Sequence, residues 1–216
     1  MKKGVIITLP KFDDVTEYLY SFSKPIIALC KAKNVNVRPI KKEWVKKNVV
    51  ESAISSYDYN FIIFNGHGDM DSIYGHKNEI LIREGENENI LKNRMVYARA
   101  CWASLNLGSS YTKGKTNKSC FIGYNLEFSF LFDKTRTANP SKDKIAKIFF
   151  ETSNIVPIDI IRGDTAMRAN ENSKKAMLKM MNRLLSKPDA DSQAVAQVLW
   201  DNYSGQTFLG NKNYQI

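Results

Sequence analysis

Apolar residues fall along this chain in two alternating rhythms. Short, nearly unbroken apolar runs at 4–9, 35–40, 61–64, 95–101 and 119–124 read as strands buried on both faces of a sheet. Between the first three, apolar residues recur at three- and four-residue steps. Tyr18, Leu19, Phe22, Ile26, Leu29 and Cys30 do so within 15–34, and Val45, Val49, Ala53 and Tyr57 within 42–57. That spacing lines up one face of a helix, and Pro25 must kink or restart the first of the two. Strand, helix, strand, helix, strand implies right-handed crossovers and a parallel sheet covered on both sides.

The rhythm breaks after residue 67. Segments 72–75 and 79–83 flank the turn-like His76-Lys77-Asn78 and read as a β-hairpin, while acidic 84–93 reads as a short helix or loop. The strand at 119–124 follows a polar, glycine-containing connection. Residues 127–132 form a further strand or a loop lining the sheet edge, and polar 133–141 suits a mobile loop or a processing site. From 141 onward the pattern is mostly helical: a helix around Ile145, Ile148 and Phe149, extended chain at 155–161, a helix over 166–185, and a last helix through Val195, Val198, Leu199 and Tyr203 that stops near Gly205. Methionines 177, 180 and 181 sit at helical spacing and read as core packing. The expected fold is a three-layer α/β sandwich with a mostly parallel central sheet of about six strands. Residues 1–140 form its core and 141–216 a helical carboxy-terminal part on the same domain.

Composition narrows the class. A chain of 216 residues, 43% hydrophobic and 25% charged, suits one globular domain rather than a disordered or fibrous chain. No apolar run approaches the ~20 residues that span a bilayer, so no membrane partner is expected. The opening Met1-Lys2-Lys3-Gly4 leads into a strand and lacks a small-residue cleavage site. Three cysteines, an odd number without paired spacing, argue for a reducing compartment, by default the cytoplasm. Much of the net charge of +10 gathers at Lys31, Lys33, Arg38, Lys41, Lys42, Lys46 and Lys47, against Glu43 alone. A solvated helix face is the favoured reading; nucleic acid is the less favoured partner, because interleaved aromatics and known DNA-binding spacings are missing.

Two strand ends carry the chemistry. The run Phe61-Ile62-Ile63-Phe64 leads through Asn65-Gly66 to His67-Gly68, and Met95-Val96-Tyr97-Ala98-Arg99-Ala100 leads to Cys101. Parallel neighbours present their carboxyl ends on one edge, where open α/β folds build their sites. A thiol and an imidazole then meet although 34 positions separate them. The thiolate is the nucleophile, and an imidazole can take the thiol proton and return it to a leaving amine. The backbone N–H groups of Gly68 and Cys101 are the candidates for binding a developing oxyanion. Cys30 and Cys120 read as small buried hydrophobes and His76 as a turn residue. A metal site from His67, Asp69, His76 and Cys101 matches no zinc spacing, so no metal and no cofactor are expected.

The blocks FIIFNGHGD and MVYARACWAS resemble the two catalytic blocks of the caspase-like cysteine peptidases, the group that includes caspases, legumains, gingipains and bacterial CHAT domains. The resemblance covers roughly residues 4–125 and implies the caspase-hemoglobinase-like sandwich. It makes His67 the general base and acid, Cys101 the nucleophile, and Gly68 with Cys101 the oxyanion hole, without requiring a third acid. It also implies a protein substrate and regulation by a partner, self-cleavage or substrate supply. In the family, the residue two before the nucleophile often contributes to the pocket for the substrate residue preceding the cut. Arg99 holds that position, on the same strand face as Cys101, and is expected either to favour an acidic residue there or to be neutralised internally by Asp69, Asp71 or Glu127. Arg99, Asp69 and Glu127 are therefore the candidate substrate-binding residues. The alternatives to a peptidase are a catalytically silent module of the same fold, or a basic nucleic-acid-binding α/β protein.

Overall fold

The computed structural model describes residues 1–114, 118–187 and 189–216. The first half alternates as its apolar pattern predicts. Strand β1 (Lys2–Leu9) leads to α1 (Asp14–Phe22) and α2 (Lys24–Ala32), with Pro25 in the first turn of α2, where its missing N–H costs nothing. Strand β2 (Asn36–Lys41), a single 3₁₀ turn at Lys42–Trp44, α3 (Lys47–Tyr57) and β3 (Tyr59–Asn65) follow. A hairpin of β4 (Ser72–Tyr74) and β5 (Ile80–Arg83) precedes β6 (Met95–Arg99) and β7 (Cys120–Tyr124). The polar connection into β7 includes residues 115–117 and lies partly outside the described residues.

The main sheet has six strands; β2, β1, β3, β6 and β7 run parallel in that order, and β8 (Gln206–Gly210) closes the edge antiparallel to β7. This is the expected three-layer sandwich. One face buries Val5, Ile7, Phe61, Ile63, Tyr97 and Ile122 against α1, α2 and the carboxy-terminal helices; the other buries Ile6, Ile62, Phe64, Val96 and Phe121 against α3 and its neighbours. Alternate residues of each strand serve opposite layers, which explains the unbroken apolar runs.

Two expectations fail and two short elements go unpredicted, each for a local reason. Residues 155–161 are not extended but form α6 (Ile155–Arg162), directly after α5 (Lys144–Ser153). Pro157 sits in the first turn of α6, where helices accept it, and Gly163 ends α6 in a left-handed conformation (φ 102°). The helix expected from residue 42 begins at Lys47, because Lys42 is left-handed (φ 53°) and Val45 turns fully inward. Short α4 (Asn106–Thr112) and β8 carry too few apolar positions to show a period. Residues 127–132 form no strand, and segment 133–141 holds two 3₁₀ turns, Lys134–Arg136 and Pro140–Lys142. The last two helices, α7 (Ala166–Leu185) and α8 (Ala190–Gly205), lie where their periodicity puts them. Among the described residues no helix is long and apolar enough to cross a membrane.

The buried carboxylate of Asp143 joins the two halves. It caps α5 through the Ile145 and Ala146 amides, accepts the Asp133 amide at 2.8 Å, and accepts the Tyr18 hydroxyl of α1 at 2.8 Å. Removing it strands several buried donors as well as a helix cap. Asp143→Ala is therefore expected to lower unfolding stability by about 3 kcal/mol in urea titrations. A loss below about 1 kcal/mol would contradict this account of the clamp.

Candidate active site

Strands β3 and β6 pair in parallel with an unbroken register from Phe61↔Met95 to Asn65↔Arg99. Continuing that offset two positions past the last pair sets His67 level with Cys101. The chain beyond the strands stays close: the Gly66 N–H donates to the Arg99 carbonyl at 3.3 Å. Gly66 takes φ 152°, and a Cβ there would lie 2.5 Å from the Tyr74 carbonyl oxygen. A Cβ on Gly68 would lie 2.9 Å from the Ala100 Cβ and 3.0 Å from the Cys101 carbonyl oxygen. Only glycine permits so close an approach, so the His67-Gly68 and Ala100-Cys101 segments are pressed backbone to backbone.

The loop after His67 is held by the hairpin. Tyr74 N–H donates to the His67 carbonyl at 2.9 Å and Asp69 N–H to the Ser72 carbonyl at 3.0 Å, bracketing a Gly68–Ile73 bridge. In such a pair the bracketing residues make the ladder bonds, and the amide between them points away from the partner strand. Among the described residues, neither the Gly68 nor the Cys101 amide donates to a backbone carbonyl, and the Cys101 amide faces its own thiol.

His67 is about one-third exposed (34%), and its Nε2 lies 2.7 Å from Asp13 Oδ2. Asp13 follows β1 and is the N-cap of α1, accepting the Thr16 amide on Oδ1 at 2.8 Å and the Thr16 hydroxyl at 2.7 Å. One carboxylate oxygen thus serves the helix and the other the imidazole. Burial pushes the Asp13 carboxyl up, but the Thr16 and His67 hydrogen bonds outweigh it and hold the group below its ordinary range. No third acid was required by the dyad pattern; Asp13 is the residue sequence reasoning missed. Its signal was an acid four positions past Leu9, the apolar end of the neighbouring strand, opening a helix as Asp13-x-x-Thr16.

Cys101 opens a tight turn just past β6. The next residue, Trp102, has φ 53°, a conformation uncommon for a bulky side chain and worth about 1–2 kcal/mol of strain. The turn is fixed by Trp102 N–H to the Leu126 carbonyl (3.1 Å), Leu105 N–H to the Trp102 carbonyl (2.9 Å) and Ser104 N–H to the Tyr124 carbonyl (3.1 Å). Burial pushes the Cys101 thiol up; a Phe128 backbone hydrogen bond opposes the rise and the nearby Glu127 charge adds to it. Burial thus favours the protonated thiol over the thiolate. The other two cysteines are fully buried, with burial raising Cys30 to about 11 and Cys120 further.

The three substrate-binding candidates fare differently. Arg99 is fully buried (0% exposed), so it meets no substrate here, and its partners are neutral oxygens rather than Asp69, Asp71 or Glu127. Nε donates to Asn65 Oδ1 (2.8 Å), Nη1 to Asn154 Oδ1 (2.6 Å) and Nη2 to Ser23 Oγ (2.7 Å), beneath the Phe150 ring. Asn65 in turn donates to the β1 carbonyl of Thr8 at 2.7 Å. The guanidinium thus pins three strands just below their active ends, together with the α1–α2 and α5–α6 breaks. Both specificity readings of Arg99 are corrected: the side chain points into the layer of helices, not the groove. Asp69 spends its carboxylate within its own loop, on the Asp71 and Ser72 amides and the Tyr74 hydroxyl. Glu127 is exposed and near Cys101. His76 is half-buried rather than a plain surface turn, its ring against Phe12, which also touches His67. Among the described residues no group of three or more His, Cys, Asp or Glu could hold a metal ion.

No family model matches the chain, and no curated protein sequence matches it. Among solved structures it is similar to a complex of the pro- and mature domains of RgpB from Porphyromonas gingivalis. The TM-score is 0.57 at 11% identity, over 99% of this chain and 48% of that one. At that identity the likeness is one of fold, the caspase-like α/β sandwich, and this chain spans about half of the RgpB chain's length.

Replacing Arg99 by Met keeps the bulk but strands buried acceptors on Asn65, Asn154 and Ser23. We expect a loss of about 3 kcal/mol or more in chemical unfolding. An unchanged or raised stability would show that the three elements do not depend on the guanidinium.

Proposed function

We propose that the chain is a cysteine peptidase in which Cys101 attacks the scissile carbonyl and His67 moves the proton. Asp13 orients the imidazole. The observation that carries this reading is the Asp13–His67 pair standing on a strand end pressed against the backbone of Cys101. With Nε2 committed to Asp13, Nδ1 is the nitrogen left to accept the thiol proton and later deliver it to the leaving amine. The carboxylate stabilises the imidazolium formed in between. The Gly68 and Cys101 amides hold the oxyanion of the tetrahedral intermediate, which collapses to a thioester and is then hydrolysed by water. The raised thiol pKa fits a nucleophile that loses its proton only when substrate and base are in place. Further support comes from the shared fold, since RgpB is a gingipain, one of the caspase-like cysteine peptidases whose sequence blocks these segments resemble. The rim of half-buried Trp102 with exposed Leu126 and Glu127, near Cys101, is the candidate wall for the substrate chain.

The direct test is a whole-cell lysate incubated with wild type or Cys101→Ala, followed by mapping of new protein termini. New termini are expected with wild type alone. Their absence from both samples across several lysates would assign the chain to a silent module of the same fold. A second variant isolates the acid. Asparagine caps helices about as well as aspartate, so Asp13→Asn should leave the melting temperature within a degree or two. It should nevertheless cut kcat by at least about tenfold, through loss of the charge on His67. Equal activity in the two proteins would remove Asp13 from the mechanism.

The pH response follows from the thiol. Because burial raises the Cys101 pKa, less thiolate is present at neutral pH than for a free cysteine. Iodoacetamide alkylation of the resting protein should therefore keep accelerating above the ordinary thiol value of about 8.5. A plateau below pH 7 would contradict the raised value.

A further inference from the structure

The basic cluster of the sequence gathers at one edge of the sheet. Strand β2 is the outer strand, and a groove runs between it and α3. Arg38 and Val49 line its middle, Lys41 and Trp44 one end, Tyr57 the other. Trp44 is 64% exposed, the most exposed of the large apolar side chains, and stands among Lys41, Lys42 and Lys46. The Arg38 guanidinium lies over the Tyr57 ring, 5.4 Å from its centroid. Among the described residues Arg38, Lys41, Lys42 and Lys46 form no ion pair, whereas Lys47 is paired with Glu86. Aromatics that look absent from the basic stretch are therefore present: Trp44 stands inside it, and folding adds Tyr57.

We propose that this groove binds single-stranded nucleic acid, with phosphates on Arg38, Lys41, Lys42 and Lys46 and a base stacked on Trp44. Cations left without carboxylates are the complement of a phosphate backbone. An indole held outward gives a stacking face that accepts any unstacked base, and duplex DNA offers none at its surface. The edge also disfavours the main alternative occupant, an extended peptide added as a further strand. Pro39 lies within β2 and has no N–H to offer a ladder, and prolines of this kind blunt sheet edges. Strands β1 and β3 lie between β2 and the strand that leads to Cys101, and the proposal stands whether or not the peptidase reading does.

The test is fluorescence anisotropy of a labelled oligo(dT) and an oligo(U) with the full chain, at several salt concentrations. Four phosphate contacts predict a log–log salt slope of about −3. Trp44→Ala should weaken binding about tenfold, and the double change Lys41→Glu/Lys42→Glu should weaken it further and flatten the slope by at least about 1. These side chains are exposed, so melting temperature and Cys101 alkylation should not change in either variant, and Cys101→Ala should bind as wild type does. Absence of binding at low salt overturns the proposal, as does binding indifferent to both variants. Tighter binding of an acidic peptide than of either oligonucleotide, lost in the lysine variant, also overturns it and gives the groove to an acidic protein.

Discussion

Everything at the candidate site depends on how closely two strand ends can approach. Parallel pairing of β3 with β6 sets the level of His67 against Cys101, but pairing alone leaves two chains a strand spacing apart. Glycines at 66 and 68 let the His67 segment fold back onto the hairpin and press against Ala100 and Cys101. A side chain at 66 would collide with the Tyr74 carbonyl, and one at 68 would crowd the Ala100 Cβ and the Cys101 and Ser72 carbonyls. The segments that carry the two candidate groups are thus held by main chain, and side-chain rotamers set the final distance.

That rigidity is reinforced from below and relaxed above. Beneath the edge, Arg99, Asn65 and Thr8 form one buried hydrogen-bonded path across β6, β3 and β1. A buried guanidinium bound only to neutral oxygens is costly, and the rings of Tyr97 and Phe150 beside it offset part of that cost. Above the edge, His67 and Asp13 are each about one-third exposed, so the groups that would meet a substrate remain reachable. Asp13 couples the levels: the carboxylate that fixes the start of α1 also fixes the imidazole. The most exposed large aromatic, Trp44, follows the end of β2 at the outer edge of the sheet.

Much of this was legible in the residues. The five parallel strands and the long helix α7 announce themselves because their faces are buried over many residues, and burial leaves a period. The elements that escaped notice are those whose burial is brief: α4 contributes Leu107, Gly108 and Tyr111 to the interior, and β8 is mostly half-exposed. The chain expected to be extended at 155–161 is a helix, and Pro157 fits its first turn. At the site, His67 and Cys101 stood out because each ends an apolar run. Asp13 did not, since its partner is 54 positions away and only the sheet order brings β1 beside β3. Arg99 misled for a related reason. Strand alternation says which residues share a face, but it does not say whether a long side chain lies in a groove or dives between helices.

The most direct measurement of the central claim is covalent capture by a peptidyl acyloxymethyl ketone, read by intact mass and peptide mapping in wild type and His67→Ala. This reagent needs an attacking thiolate within an organised site, whereas small alkylating agents need only access. One adduct, on Cys101, that disappears in His67→Ala while iodoacetamide still labels the sulfur is the result expected of two groups working as a pair. Equal capture with and without the imidazole, or adducts shared with Cys30 and Cys120, would mean that the two strand ends are neighbours in the fold and nothing more.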